Sequence, residues 1–169
     1  MVHITTALQP YLPYAGVAMN WRMCGPNGHI TRPVNGSFSI IKSYTSCVPG
    51  EDWYSTRVRI IANTDYTSIM GPDPHTPLVI NTNTNVDVSF RPLARHHTEQ
   101  YNNHTMLLYH YMTQSYEDFL KKIKRGSGDR GKRSTAEYAY AQNMSTEIDY
   151  RLAVQAIIAE QTIQFVQPN

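Results

Sequence analysis

GVAMNWRMC, residues 16–24, sets Val17, Met19, Trp21 and Met23 at every second position. Successive side chains point to opposite faces of a strand, so this spacing predicts a β-strand with one buried apolar face. Gly25-Pro26-Asn27-Gly28 follows at once and ends it, because these residues favour turns.

Working outward, residues 1–14 carry Pro10 and Pro13 around PYLP. Each proline biases its predecessor away from the α region, so this segment is expected to be an extended arm. Pro10, Tyr11, Leu12, Pro13 and Tyr14 are its candidate contacts with a neighbouring copy. On the other side, Phe38, Ile40, Ile41 and Tyr44 have the spacing of a short helix opened by Ser37. Residues 53–61 alternate again and predict a second long strand. Residues 71–77 hold Pro72, Pro74 and Pro77 and predict a loop. Residues 78–80 and 86–90 then read as a hairpin across the polar NTNTN tract.

Helical spacing begins near His104, with Met106, Leu107, Leu108, Tyr111, Met112, Tyr116, Phe119, Leu120 and Ile123, and stops at Gly126. Ser134 and Glu137 have capping-box spacing and open a second helix. Its stripe runs through Ala141, Met144, Ile148, Leu152, Ala156, Ala159 and Ile163. Strand signals thus precede helix signals, the pattern of an α+β fold. The expected architecture is an antiparallel sheet from the N-terminal half, packed with C-terminal helices. An arm over 1–14 precedes a single domain over 15–169, which carries a flexible basic loop at 121–133.

That loop, KKIKRGSGDRGKR, holds Lys121, Lys122, Lys124, Arg125, Arg130, Lys132 and Arg133, seven of the chain's 15 basic residues, against Asp129 alone. The rest of the chain is slightly acidic, so these seven residues are the candidate site for an anionic partner. A membrane surface and a nucleic-acid backbone both qualify, because clustered cations attract each of them. Tyr138 and Tyr140 are candidates for stacking on unpaired bases, and Ser134 and Thr135 stand in a basophilic-kinase context. Charged residues make up only 17% of the chain and the net charge is +2, so like molecules repel one another little. Self-packing is expected.

Enzyme chemistry finds no motif. Cys24 and Cys47 are expected to be buried thiols in a reducing cytosol, and nothing around either one marks a nucleophile. His96, His97, His104 and His110, with Glu99 nearby, lack the spacing that brings ligands onto one ion, so neither a metal nor another cofactor is expected. There is no phosphate-cradling glycine loop, no Gly-x-Ser-x-Gly and no membrane-spanning apolar run. The sequons at Asn35, Asn103 and Asn143 matter only in a secreted chain, and no basic and apolar leader opens this one.

The order of GVAMNWRMC, FSIIKSY, WYSTRVRIIA, a proline-bearing loop, NVDVSFRPL and SYEDFLKKI, over residues 16–125, resembles the matrix proteins of rhabdoviruses, in particular the short ones of plant-infecting members. The resemblance implies a non-enzymatic structural protein of the virion and host cytoplasm. It would polymerise and bridge a nucleocapsid to an anionic membrane, acting on no small-molecule substrate. The chain departs from the pattern in lacking a Lys-rich N-terminal tail and a Pro-Pro-x-Tyr motif, since PYLPY is not one. The expectation is a self-associating matrix-type protein. The alternatives are a sequence-tolerant nucleic-acid-binding protein, such as a capsid component or silencing suppressor, and an enzyme with an unrecognised His/Cys site.

Overall fold

The computed structural model describes residues 3–33, 40–70, 75, 77–80, 83–93, 96–103, 105–126, 133–152 and 154. In chain order the elements are α1 (Ile4–Leu8), β1 (Gly16–Cys24), α2 (Ile40–Ser43), β2 (Ser46–Cys47), β3 (Val58–Ala62), β4 (Thr67–Met70), β5 (Pro77–Val79), β6 (Asn85–Asp87), β7 (Leu108–Tyr111), α3 (Tyr116–Arg125), α4 (Thr135–Met144) and β8 (Glu147–Ile148), with 3-10 turns at Gln9–Tyr11 and Trp53–Thr56. The fold is α+β, as the order of signals predicts. Where one domain was expected, contacts divide the chain into two compact units, Met1–Arg22 with Gly50–Tyr109 and Met23–Pro49 with His110–Asn169. β1 runs from the first into the second.

In the first unit β1 is the central strand. It pairs antiparallel with β3, from Gly16 opposite Ala62 to Asn20 opposite Val58, and parallel with β6, from Gly16 opposite Asn85 to Ala18 opposite Asp87. Gly16 permits this double pairing. A Cβ there would lie 2.7–2.8 Å from Ile60 Cγ2, Asn85 Oδ1 and the Ile61 carbonyl. One face of the sheet buries Val17 with Val86, Val88 and Tyr11, and Ile61 and Met106 pack around them. The other face is buried too. Asn20 is fully enclosed, its Nδ2 donating to the carbonyls of Ser55 and Thr56 and to Thr98 Oγ1, while its Oδ1 accepts from Asn102 N–H. The single buried face expected for β1 is therefore corrected: strands on both sides and loops on both faces enclose it.

The second unit is organised by the start of α3. Ser115 caps the helix, its Oγ accepting from Asp118 N–H at 3.2 Å and donating to Asp118 Oδ2 at 2.8 Å. The N–H groups of Tyr116 and Glu117, which have no partner inside the helix, donate to the carbonyls of His29 and Ile30. Arg32 Nε donates to both Asp118 oxygens, at 3.0 and 3.1 Å. Tyr44 and Phe119 are fully buried, and Phe119 meets Tyr138 of α4. β2 pairs with the last residues of β1 and with β8.

Several expectations need correcting. The opening residues form α1 and a 3-10 turn instead of an extended arm. Pro10 sits at the start of that turn, where its missing N–H costs nothing. Tyr11 is buried within its own unit, donating to the Val88 carbonyl at 2.8 Å and stacking on Phe90. The long strand over 53–61 begins only at Val58, because Asp52 accepts from Tyr54 N–H and caps a 3-10 turn. The hairpin joins β4 to β5, whereas β6 lies parallel to β1. Residues 108–111 are strand β7, so the helix begins at Tyr116 and not near His104, itself outside the described residues. α4 ends at Met144, Ile148 lies in β8, and the remainder of the predicted stripe beyond 154 is likewise outside them, as are residues 37–39 of the expected short helix. Cys24 and Cys47, opposite each other in register, form a buried disulfide. This overturns the pair of reduced thiols, since such a bridge persists under oxidising conditions, and neither sulfur serves as a nucleophile while bonded.

Candidate anion-binding site

Seven cations between 121 and 133 were the sequence candidates. Arg130 and Lys132 lie outside the described residues, and the other five differ sharply in what they do. α3 ends at Gly126, whose φ of 80° is easily reached only by glycine and whose N–H closes the last turn onto the Lys122 and Ile123 carbonyls. Lys122, Lys124 and Arg125 therefore occupy the last turn, where the negative end of the helix dipole favours cations.

Lys121 is exposed and pairs with Glu117 at 2.6 Å, one helical turn back. Lys122 turns inward and donates to the Met112 carbonyl. Burial pulls its ammonium below the ordinary lysine range, and the charges of Arg133 and Arg125 add to the effect. Lys124 and Arg125 are exposed. Arg133 is half-buried. Its Nη1 pairs with Glu137 at 2.9 Å, while its Nε is buried with no acceptor among the described residues. Lys122, Arg125 and Arg133 are thus close enough to repel one another, and one of them carries an unsatisfied N–H. An anion near this end of α3 offsets the repulsion with its charge.

Tyr138 does not present a stacking face. Its ring lies against Phe119 and edge-on to Tyr116, and its hydroxyl donates to the His29 carbonyl, so it belongs to the packing of α3 on α4. Ser134 stands at the N-cap of α4 and is exposed, but its side chain makes no capping bond. The box expected from Ser134 and Glu137 is absent because the Glu137 carboxylate turns to Arg133. The working box is Ser115 with Asp118, a Ser-x-x-Asp signal readable in SYED but obscured by the helical spacing around it.

The arm candidates are scattered in accessibility. Pro10, Leu12 and Pro13 are exposed, Tyr14 is half-buried and Tyr11 is buried. The first unit also holds an open pocket of about 220 Å³ whose lining includes Leu8, Tyr11, Val17, Ile61 and Asn63. Of the histidines, His96 and His97 come together with His75, which the sequence reading had not grouped with them, whereas His110 belongs to the second unit. Among the described residues no cluster of His, Cys, Asp or Glu has metal-holding geometry, and no helix is long and apolar enough to cross a membrane. Comparison of the chain with protein-family models, curated proteins and solved structures gives no match in any of the three.

Proposed function

We propose that this protein is a self-associating structural protein of matrix type, which meets an anionic surface through the C-terminal end of α3. The observation that carries the reading is the crowding of Lys122, Arg125 and Arg133 at the C-terminal end of α3, where the two arginines lower the Lys122 ammonium and Glu137 pairs with Arg133 alone among the described residues. Lys121 and Lys124 extend the positive face outward, and exposed Leu120 lies among them, the pairing of apolar and cationic groups that suits a lipid interface. Self-association is supported by large apolar side chains at the surface. In the second unit these are Ile148, Tyr150 and Val154, and in the first Ile69 and Leu78 project from the β4–β5 hairpin. Exposed apolar groups of this size are the usual raw material of subunit contacts.

The test is co-sedimentation with phosphatidylserine-containing vesicles. Wild type should pellet at low salt and be released as salt rises. Each of Lys124→Gln and Arg125→Gln should weaken binding by about fivefold, the equivalent of about 1 kcal/mol per cation near an anionic surface. Equal binding to neutral vesicles, or no change in either variant, would sink the membrane contact. Light scattering across protein concentration tests assembly separately, since a monomer at every concentration would remove the structural role.

A further inference from the structure

We infer that two copies of this chain pair through a peg and a socket carried on the first unit, the ring of Phe90 on one copy entering the pocket beside Tyr11 on the other. The peg stands on an unusual backbone. Phe90 has a φ of 64°, in the left-handed region that a bulky side chain rarely adopts. Asp87 imposes it. Its Oδ1 accepts the N–H groups of Ser89 and Arg91, its carbonyl accepts Phe90 N–H, and its own N–H donates to the Arg91 carbonyl. Strain held this firmly points to a side chain that is needed where it stands. Phe90 is 45% exposed although its ring stacks on Tyr11 with centres 4.7 Å apart.

Tyr11 belongs to both features. With Leu8, Leu12, Val17, Ile61 and Thr64 it lines the open pocket of about 220 Å³. An apolar cavity of about 150 Å³ holds a benzene ring, so this one has room for a phenylalanine side chain. Its framework is fixed: Tyr11 is held by its hydroxyl bond to the Val88 carbonyl, and Val17 and Ile61 by their pairing across β1 and β3. Leu12 on its wall is 59% exposed, apolar surface that an incoming ring would cover.

Charge singles out a second copy as the occupant. Asp65 follows Thr64 of the lining and is exposed. Arg91 follows Phe90 on the peg. Its Nε pairs with Asp87 at 2.8 Å, yet 47% of its side chain stays exposed. An acid beside the socket thus complements a base beside the peg when two copies meet. Because peg and socket share one unit, a two-fold axis seats both rings at once, the isologous arrangement of a symmetric dimer. This pairing rests on the self-association part of the proposed function. It is separate from the α3 cations, which belong to the other unit.

Sedimentation equilibrium of the full-length chain measures the association. Wild type is expected to dimerise, more weakly as salt rises. Phe90→Gly removes the peg and suits the left-handed backbone, and Leu12→Lys puts a cation on the socket wall at an exposed position. Each should weaken association by about thirtyfold or more, the loss of a hot-spot contact. Asp65→Lys should weaken it by about threefold to tenfold, as a rim charge does. Mixing Phe90→Gly with Leu12→Lys leaves one intact ring facing one intact socket, so the mixture should associate more tightly than either variant alone. If Phe90→Gly fails to fold by circular dichroism, Phe90→Asn, which also tolerates a positive φ, takes its place. Wild type that stays monomeric at every concentration overturns this pairing and the self-association reading together. Wild type that associates while Phe90→Gly and Leu12→Lys associate equally well overturns the pairing alone, and so does a mixture no tighter than its components. A monomer that binds an apolar dye, with binding lost in Leu12→Lys, also overturns it and assigns the pocket to a small apolar ligand.

Discussion

Asp118 concentrates much of the second unit's order in one carboxylate. It is buried, accepts from Arg32 and Ser115, and sits in the first turn of α3, where a negative charge is favoured. The Arg32 hydrogen bonds hold its carboxyl below the ordinary aspartate range, helped by Ser115 and opposed by burial. A carboxylate whose folded pKa lies below its unfolded value stabilises fully above that unfolded value, about 3.9, and loses the contribution as pH falls through the folded one. Urea denaturation from pH 7 down to 2.5 should therefore show wild type losing its advantage over Asp118→Asn across this acidic range. A gap between the two that stayed constant with pH would mean that the Arg32 pairing is not what holds the residue. This site was legible in part: Ser115 and Asp118 are spaced as a capping box, but its partner Arg32 lies far away in sequence and no local pattern points to it.

At the scale of elements, β1 was readable because its large apolar residues, Val17, Met19, Trp21 and Met23, fall at every second position and a turn follows immediately. β7 was not. Leu108, Tyr111 and Met112 recur at helical spacing, and periodicity cannot separate a short strand from a helix when the neighbouring residues belong to a true helix. The segment over 53–56 was misread for another reason, since a single side chain, Asp52, outweighs a β-rich composition by capping a turn. The parallel pairing of β1 with β6 also left no mark, because register across distant segments depends on close approach at Gly16. Gly16→Ala should cost about 1–3 kcal/mol by overpacking, measured by chemical denaturation, with Gly28→Ala as a contrast. The strain at Gly28 is conformational, from a φ of 73° in open space, and not steric. If Gly16→Ala matched wild type, the two strands would not be confined as tightly as the distances state.

For the whole molecule, the division into two units was invisible because β1 crosses the boundary without interruption, with no linker to betray it. The disulfide was equally hidden, since two cysteines 23 residues apart carry no geometry until β1 and β2 pair. Closing a loop of that length restricts the unfolded chain, and reduction should lower stability by about 3 kcal/mol. Denaturation with and without a thiol reductant checks this, and no difference would mean that the bridge contributes no net stability. Lys122, Arg125 and Arg133, by contrast, stand within one charge block of the sequence. Only folding separates the inward Lys122 from the outward Lys124.

The interleaving of the two units has a consequence for synthesis on the ribosome. Met23–Pro49 emerges long before its partner segment, which begins at His110, and at about 5–20 residues per second the 60 residues from 50 to 109 take roughly 3–12 seconds to follow. Throughout that interval the early segment has no complete unit to join and depends on chaperones or on its own covalent closure. Cys24 and Cys47 both lie within it, so the bridge can form while the nascent chain is still tethered. In an oxidising lumen the waiting segment would be pre-shaped before its second half is translated; made in a reducing compartment, it would wait open.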